Sequence, residues 1–179
     1  MGRSLAGWRL LSVGAALSGM LAAPAASLTV HPASAAQVEK ADRIIVVKSE
    51  RRLYLTREGR VMKSFRVALG REPKGTKIYQ GDGRTPEGVY EVAAFNPGSR
   101  FHRAVRVSYP NEQDLVRARA LGQAGGGDIM IHGLAPERRG FGAGHWQFNW
   151  TNGCIAVTDR EIEEIWRRVE IGTPIEIRP

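Results

Sequence analysis

Short apolar and alternating segments recur along the chain from residue 44 onward, and they predict a domain built mainly from strands. Each is rich in β-branched or aromatic residues and is bounded by glycine, proline or polar residues, as strands are. Two of them flank a turn at Gly59, which predicts a hairpin with one buried face. The predicted strands are Ile44–Val47, Leu53–Leu55, Phe65–Leu69, Val89–Val92, Val105–Ser108, Asp128–Gly133, Cys154–Val157 and Thr173–Ile177.

Two further segments carry the pattern of short helices. Asn111, followed three residues later by Asp114, is typical of a helix N-cap, and this helix is expected to end by Gly122. Thr158 and Glu161 form the capping-box pattern that starts a second helix. Its apolar residues recur at helical spacing and predict a face that packs on the sheet: Ile162, Ile165, Trp166 and Val169.

The order of these elements predicts a mainly β fold, in which a mixed sheet curls into a sandwich or partial barrel with two short helices. The polar, glycine-rich connections at residues 72–88 and 134–152 are predicted to be loops. Pro174 would place the last strand at a sheet edge if it lies inside that strand, because proline has no N–H to donate to a ladder.

The first 36 residues differ in composition from the rest and predict a secretory signal peptide. Arg3 and Arg9 are their charged side chains, an apolar run occupies residues 10–23, and small residues end the segment at Ala36. This succession is the layout of an export signal. A transmembrane helix is the alternative, but Pro24 follows too soon for a run of about twenty apolar residues.

The rest of the chain is divided into a short lead-in, residues 37–43, and one domain, residues 44–179. A hydrophobic content of 42% in 179 residues suits a globular protein and excludes a disordered or collagen-like chain. The net charge of +8 becomes +6 without the two arginines of the leader, and it favours anionic surroundings, with solubility alone as the alternative. We expect no nucleic-acid partner, since an exported chain without a basic helix is a poor candidate for one. No stable membrane span is expected after signal cleavage.

Cys154 is the one cysteine in the sequence and the centre of its candidate chemistry. A nucleophilic thiol needs a base and backbone donors, and His132 at the end of a predicted strand and Gly153 before the cysteine are candidates for these roles. A buried structural thiol is the plain alternative. Zinc is a competing chemistry, with His132, His145 and Cys154 as ligand types, although no Cys-x-x-Cys or His-Glu-x-x-His motif accompanies them.

Two stretches around these residues resemble the catalytic signature of the L,D-transpeptidases of the YkuD type. They are Ile131–Gly133 and, after a glycine-bearing loop, Thr151–Ile155. Thr85–Tyr90 also resembles the turn and strand that recur in this family, and the resemblance covers nearly all of the expected mature chain. It implies the β-rich catalytic domain of the family and an enzyme for which no cofactor is implied.

Enzymes of that family use a cysteine to attack a peptidoglycan stem tetrapeptide between its third residue, a meso-diamino acid, and its fourth, D-alanine. D-Alanine leaves, and an amine takes the acyl group from the thioester. The resemblance implies that Cys154 is the nucleophile and His132 its base. It also implies that the Gly133 carbonyl orients the imidazole and that the amides of Gly153 and Cys154 help to form the oxyanion hole.

Six other residues near the motif are candidates for binding the substrate. The histidine in this set is also an alternative base. The two tryptophans of the set either form the wall of a groove for the stem peptide or anchor the loop of residues 134–152 to the core. The arginine is a candidate for binding a carboxylate, with a solvated strand rim as the alternative. These residues are His145, Trp146, Trp150, Thr151, Asn152 and Arg103.

Departures from the family's pattern leave a second reaction open. Ala156 stands where many members carry Arg or Asn, and Asn152 where some carry His. Residues 150–156 instead resemble a branch that includes enzymes releasing wall-bound proteins by hydrolysis. From the catalytic signature as a whole, the expected function is an exported L,D-transpeptidase of the periplasm or cell wall. A cysteine amidase of stem peptides or a wall-linked protein is the alternative, and a non-catalytic wall-binding module and a zinc-dependent hydrolase are alternatives of other classes.

Overall fold

The computed structural model describes residues 38–179, so the predicted signal peptide lies outside the described residues. Eight strands and two α-helices follow one another in this part of the chain, and none of its helices is long and apolar enough to cross a membrane. The elements are β1 (Arg43–Val47), β2 (Arg52–Arg57), β3 (Arg60–Arg66), β4 (Gly88–Asn96), β5 (Ala104–Val107), α1 (Glu112–Ala120), β6 (Met130–His132), β7 (Ile155–Ala156), α2 (Asp159–Arg168) and β8 (Pro174–Arg178).

The strands form one mixed sheet in the order β3-β2-β1-β8-β4-β5-β6-β7. β1 pairs with β8 and β6 with β7 in parallel, and the other neighbours are antiparallel. Beyond β3, the chain bridges across to the opposite edge of the sheet, where Ala68 pairs with Ala156 and Gly70 with Thr151. These bridges bring the two edges together, so the predicted curled sheet is a partial barrel.

Pro174 lies inside β8, but β8 is the central strand between β1 and β4, so the conditional expectation of an edge position is wrong. Pro174 is the first residue of the strand and pairs with Glu91 at the end of the ladder. A missing N–H is tolerated at a strand's first residue, because the pairing there has only begun. The residues that follow, Ile175 and Ile177, are fully or almost fully buried.

Both predicted helices are present and begin at the predicted caps. The side chain of Asn111 accepts a hydrogen bond from the amide of Asp114, and that of Thr158 accepts one from Glu161. A third helical segment, of 3-10 type over Pro136–Gln147 and broken by a kink at Gly142, occupies the connection that the sequence predicted to be a loop. This segment separates β6 from β7, the two strands that carry the candidate chemistry.

The core fills the inside of the curled sheet and is covered by α2. Ile131 of β6 and Ile155 of β7 face each other in register and are completely buried, as are Ile162 and Ile165 of α2. A slip of one residue would turn the buried side chains of β6 or β7 toward the opposite face. The buried isoleucines therefore fix the relative position of the residues that border these two strands.

Candidate active site

Cys154 directly precedes β7, and His132 ends the adjacent strand β6. His132 is in register with Ala156, two residues after the cysteine, so the strands adjoin as the sequence analysis required. The thiol donates a long hydrogen bond, 3.8 Å, to the carbonyl oxygen of Asp128. Among the hydrogen bonds of residues 38–179, none joins this thiol to His132. Catalytic hydrogen bonds often tighten only when substrate is bound.

The imidazole of His132 is held in one orientation by its surroundings. It is only 2% exposed, and its Nδ1 lies 2.7 Å from the carbonyl oxygen of Gly133. Because a carbonyl oxygen only accepts, Nδ1 carries the proton and Nε2 of the neutral ring is left as the acceptor. The Phe101 ring stacks on the imidazole at 4.3 Å, and Trp150 meets it edge-on at 5.8 Å.

Burial keeps both candidate reacting groups uncharged. It lowers the pKa of His132 to about 4, a shift that nearby His145 reinforces and the hydrogen bond to Gly133 opposes. Burial also raises the pKa of the Cys154 thiol above its ordinary value, while a hydrogen bond from the Met130 amide acts in the opposite direction. A neutral thiol and a neutral imidazole are therefore the resting pair near pH 7.

A tight turn presents the cysteine. Oγ1 of Thr151 donates to the Cys154 carbonyl oxygen at 2.7 Å and accepts from the Gly153 amide at 3.1 Å. The Gly153 amide, expected in the oxyanion hole, is thus already engaged by this hydroxyl. Gly153 has φ +128°, and a Cβ there would lie 2.5 Å from the carbonyl oxygen of Arg84. The turn accordingly requires glycine at this position.

Gly133 is equally constrained by the residues around it. A Cβ at this position would lie 2.6 Å from Oδ1 of Asp159 and 2.7 Å from the carbonyl oxygen of Phe101. Asp159, the first residue of α2, accepts a hydrogen bond of 2.8 Å from the amide of Leu134. Any side chain at Gly133 would therefore displace the carbonyl that orients His132.

An open pocket of about 580 Å³ lies on one side of Cys154. Of the sequence-predicted site residues, Cys154 and Asn152 line it, and the side chain of Asn152 accepts a hydrogen bond from Arg71. Most of the lining is not predictable from the sequence pattern, because residues 72–88 have the composition of a polar loop. The charged and amide side chains of the pocket are Arg71, Glu72, Lys77, Gln80, Asp82, Asp128 and Asn152.

The aromatic substrate-binding candidates and His145 lie in the connection between β6 and β7, outside the lining of this pocket. His145 is buried, and its Nδ1 has no hydrogen-bond partner among the described residues. Burial lowers the pKa of His145. Arg66 stacks over Trp146 at 4.5 Å, and Arg138 over Trp150 at 4.9 Å. Both tryptophans are therefore packed against other parts of this domain.

Arg103 also faces away from the pocket. Its guanidinium pairs with Glu163 of α2 at 3.1 Å and stacks over Trp166 at 5.0 Å. His102, at φ +71°, contacts the same carboxylate at 2.7 Å. These contacts tie the chain beside β5 to α2, next to the Phe101 ring that covers the imidazole.

Ala156 is fully buried, and its amide and carbonyl pair with those of Ala68 at 2.9 Å. The small side chain thus fits the point where the two sheet edges meet. Residues 38–179 hold no group of three or more His, Cys, Asp or Glu side chains placed to bind a metal ion together.

The family model of the L,D-transpeptidase catalytic domain, YkuD, matches residues 41–177. The candidate L,D-transpeptidase YafK of Escherichia coli (strain K12) is 30% identical over 132 residues, which cover 70% of this chain and 46% of YafK. The chain thus spans less than half the length of this relative.

Solved structures also resemble the described part of the chain. The helical cell shape determining protein Pgp2 from Campylobacter jejuni aligns with a TM-score of 0.56 and 26% identity, covering 75% of this chain and 46% of Pgp2. Bd1075 of Bdellovibrio bacteriovorus shares the fold, with a TM-score of 0.52 and 20% identity over 75% of this chain and 46% of Bd1075.

Proposed function

The chain belongs to the L,D-transpeptidase catalytic domain family, whose members act on peptidoglycan peptides outside the cytoplasm, and from that premise we propose that it is an exported cysteine L,D-transpeptidase. Its substrate would be the stem tetrapeptide, and its product a cross-link or an attached amine. The observation that carries the proposal is the pairing of β6 with β7. It sets a half-buried thiol, beside an open pocket, next to the strand that carries a neutral, oriented imidazole.

The first half of the proposed reaction forms a thioester on Cys154. Sγ attacks the carbonyl carbon of the third stem residue while Nε2 of His132 takes the thiol proton. The backbone amide of Cys154 is our candidate donor to the developing oxyanion, since the Gly153 amide already serves Thr151. When the C–N bond breaks, the imidazolium returns its proton to the nitrogen of the departing D-alanine.

The second half passes the acyl group to an acceptor amine. Nε2 of His132 removes a proton from the amine as its nitrogen attacks the thioester, and the proton then restores the Cys154 thiol. Because the pKa of His132 is held at about 4 by burial, the imidazolium is a short-lived acid in both halves. This favours proton transfer during attack over a preformed thiolate–imidazolium pair.

Hydrolysis of the thioester is the second candidate function, and the character of the pocket favours it. The pocket at Cys154 is open and lined by charged side chains, and neither Trp146 nor Trp150 borders it to exclude water. An ordered water activated by His132 would then replace the amine. Such a cysteine amidase would release tripeptides or detach a wall-linked protein.

We infer that the protein works in the periplasm or cell wall and contributes to cell-wall organisation. Its relative Pgp2 is described as determining helical cell shape, which supports a role of this kind. Peptidoglycan stem peptides are the proposed partners.

Intact-protein mass spectrometry tests the proposal. The full chain, purified from an exporting host, is incubated with tetrapeptide muropeptides and with varied acceptor amine. We expect an adduct on Cys154 of the stem-peptide mass less D-alanine, and cross-linked dimers that increase with the acceptor. Cys154→Ala should form neither, with an unchanged circular dichroism spectrum.

The products separate the two candidate functions. Tripeptides or released protein, without dimers at any acceptor concentration, would replace transfer by hydrolysis. Full turnover by Cys154→Ala would reject both functions.

A further inference from the structure

A buried lysine forms part of the pocket beside Cys154. The side chain of Lys77 is 2% exposed, and its ammonium donates to the carbonyl oxygen of Tyr79 at 3.0 Å and to Oδ1 of Asp82 at 2.8 Å. An ammonium has three N–H groups, so these two hydrogen bonds leave its third N–H group available as a donor. Lysine is rarely buried unless it is paired, and this pairing is local to one turn.

Asp82 organises that turn around the ammonium. Besides Lys77, its carboxylate accepts hydrogen bonds from the amides of Ile78 at 2.7 Å, Tyr79 at 3.2 Å and Arg84 at 3.0 Å. Burial acts to raise the pKa of Asp82, but these four hydrogen bonds outweigh it and leave that pKa lowered. The turn from residue 77 to 84 therefore holds a charged pair in a fixed place.

Lys77 and the thiol of Cys154 both lie against the dipeptide Gly127–Asp128. A Cβ at Gly127 would be 3.8 Å from Cε of Lys77, while Sγ of Cys154 is 3.8 Å from the carbonyl oxygen of the next residue, Asp128. Both side chains line the same pocket. The charge of a buried ammonium is screened less by salt than that of an exposed one.

Other charged groups also border the thiol. The carboxylate of Asp128 acts to raise the pKa of the Cys154 thiol, and it pairs with Arg106 at 2.6 Å. Arg71 donates to Asn152. Glu72 is exposed at the rim of the pocket. His132, on the adjacent strand, is neutral at pH 7, and Asp82 is the partner that restrains the field of Lys77.

We propose that Lys77 is a positioning residue whose charge stabilises the thiolate of Cys154, and that Asp82 limits the size of this effect. The proposal rests on the proposed role of Cys154 as the nucleophile. The thiol proton leaves to His132 or to water. The charge of Lys77 acts to lower the pKa of the Cys154 thiol, which burial raises.

The rate of thiol alkylation by iodoacetamide, followed by intact mass between pH 6 and 10, measures this ionisation without any substrate. The informative variants are Lys77→Gln, which keeps a donor but loses the charge, and Asp82→Asn, which removes the counter-charge. Lys74→Gln is the matched control, because Lys74 is an exposed lysine of the same connection. Thermal unfolding by circular dichroism shows which variants are folded.

We expect opposite shifts from the two informative variants. Lys77→Gln should raise the apparent pKa of alkylation by about one unit, which slows the reaction about tenfold at pH 7. Asp82→Asn should lower that pKa and speed alkylation, and Lys74→Gln should match the wild type. A turn with a structural role alone would move both variants in the same direction.

Unchanged alkylation in Lys77→Gln, or parallel shifts in the two variants, would overturn the proposal. If one variant fails to fold, the sign of the other decides. A wild-type protein that forms no acyl adduct with muropeptides, but shows these opposite shifts, would remove the proposed function and keep the role of Lys77.

Discussion

The hydroxyl of Thr151 makes two hydrogen bonds that hold the turn before the nucleophile, and its removal gives a measurable prediction. Thr151→Val preserves the shape of the side chain but leaves the Gly153 amide and the Cys154 carbonyl without their partner. Thr151 and Gly153 are buried, so water does not readily replace the hydroxyl. The variant is therefore expected to destabilise the turn through unpaired backbone groups.

The magnitude follows from the number of groups left unpaired. Each buried polar group that loses its partner costs about 1–3 kcal/mol, so two such groups cost roughly 2–6 kcal/mol. At about 2–4 °C per kcal/mol for a domain of this size, such a loss lowers Tm by roughly 4–24 °C. Thr151→Ser keeps the hydroxyl and removes one methyl group, at a cost of about 1 kcal/mol.

Urea unfolding followed by tryptophan fluorescence gives the free energies of unfolding. The difference between wild type and Thr151→Val measures the loss of the hydroxyl, and Thr151→Ser is the control that keeps it. A rate of Cys154 alkylation in the folded Thr151→Val variant that differs from the wild-type rate would show a thiol displaced from its environment. A free energy of unfolding for Thr151→Val within about 0.5 kcal/mol of Thr151→Ser would refute the assigned role of these two hydrogen bonds.

Three further measurements test the site. Burial holds the pKa of His132 at about 4 against an ordinary 6.5, so the unfolded chain gains a proton first as the pH falls. The free energy of unfolding, measured with urea, should therefore fall by roughly 3 kcal/mol more between pH 6.5 and 4 in wild type than in His132→Gln. Gly153→Ala would force a Cβ to 2.5 Å from the Arg84 carbonyl oxygen and should abolish acyl-enzyme formation by mass spectrometry, whereas Gly144→Ala, with open space around its Cβ, should retain it. A carbapenem offers a reactive lactam carbonyl to the thiol, so its mass should add to wild type and be absent from Cys154→Ser; an equal adduct on that variant would place the reaction elsewhere.

Local patterns predicted most of the fold because the residues that define each element lie close together in the chain. The caps at Asn111 and Thr158 are satisfied three residues later, and both helices begin where these caps predict. The position of β8 was not predictable in this way. Its neighbours β1 and β4 come from distant parts of the sequence, and Pro174 alone pointed to an edge.

The same distinction applies to the candidate site. The motif around Cys154 and His132 gave a prediction of the reacting pair, whose roles the proposed experiments test. The turn that holds Lys77 was missed, because a lysine and an aspartate in a polar loop usually signal a solvated surface. Only the folding of that loop against Gly127 buries the ammonium, and no local pattern encodes such a contact.

The central place of the last strand has a consequence for how the molecule forms. Synthesis proceeds from β1 onward, but β1 and β4 acquire their shared neighbour only when residues 174–178 arrive. Without β8, the strand order leaves β3-β2-β1 and β4-β5-β6-β7 as two groups with open inner edges. The late step joins segments distant in sequence and is expected to be slow. During that interval, the open edges are sites for pairing with other chains.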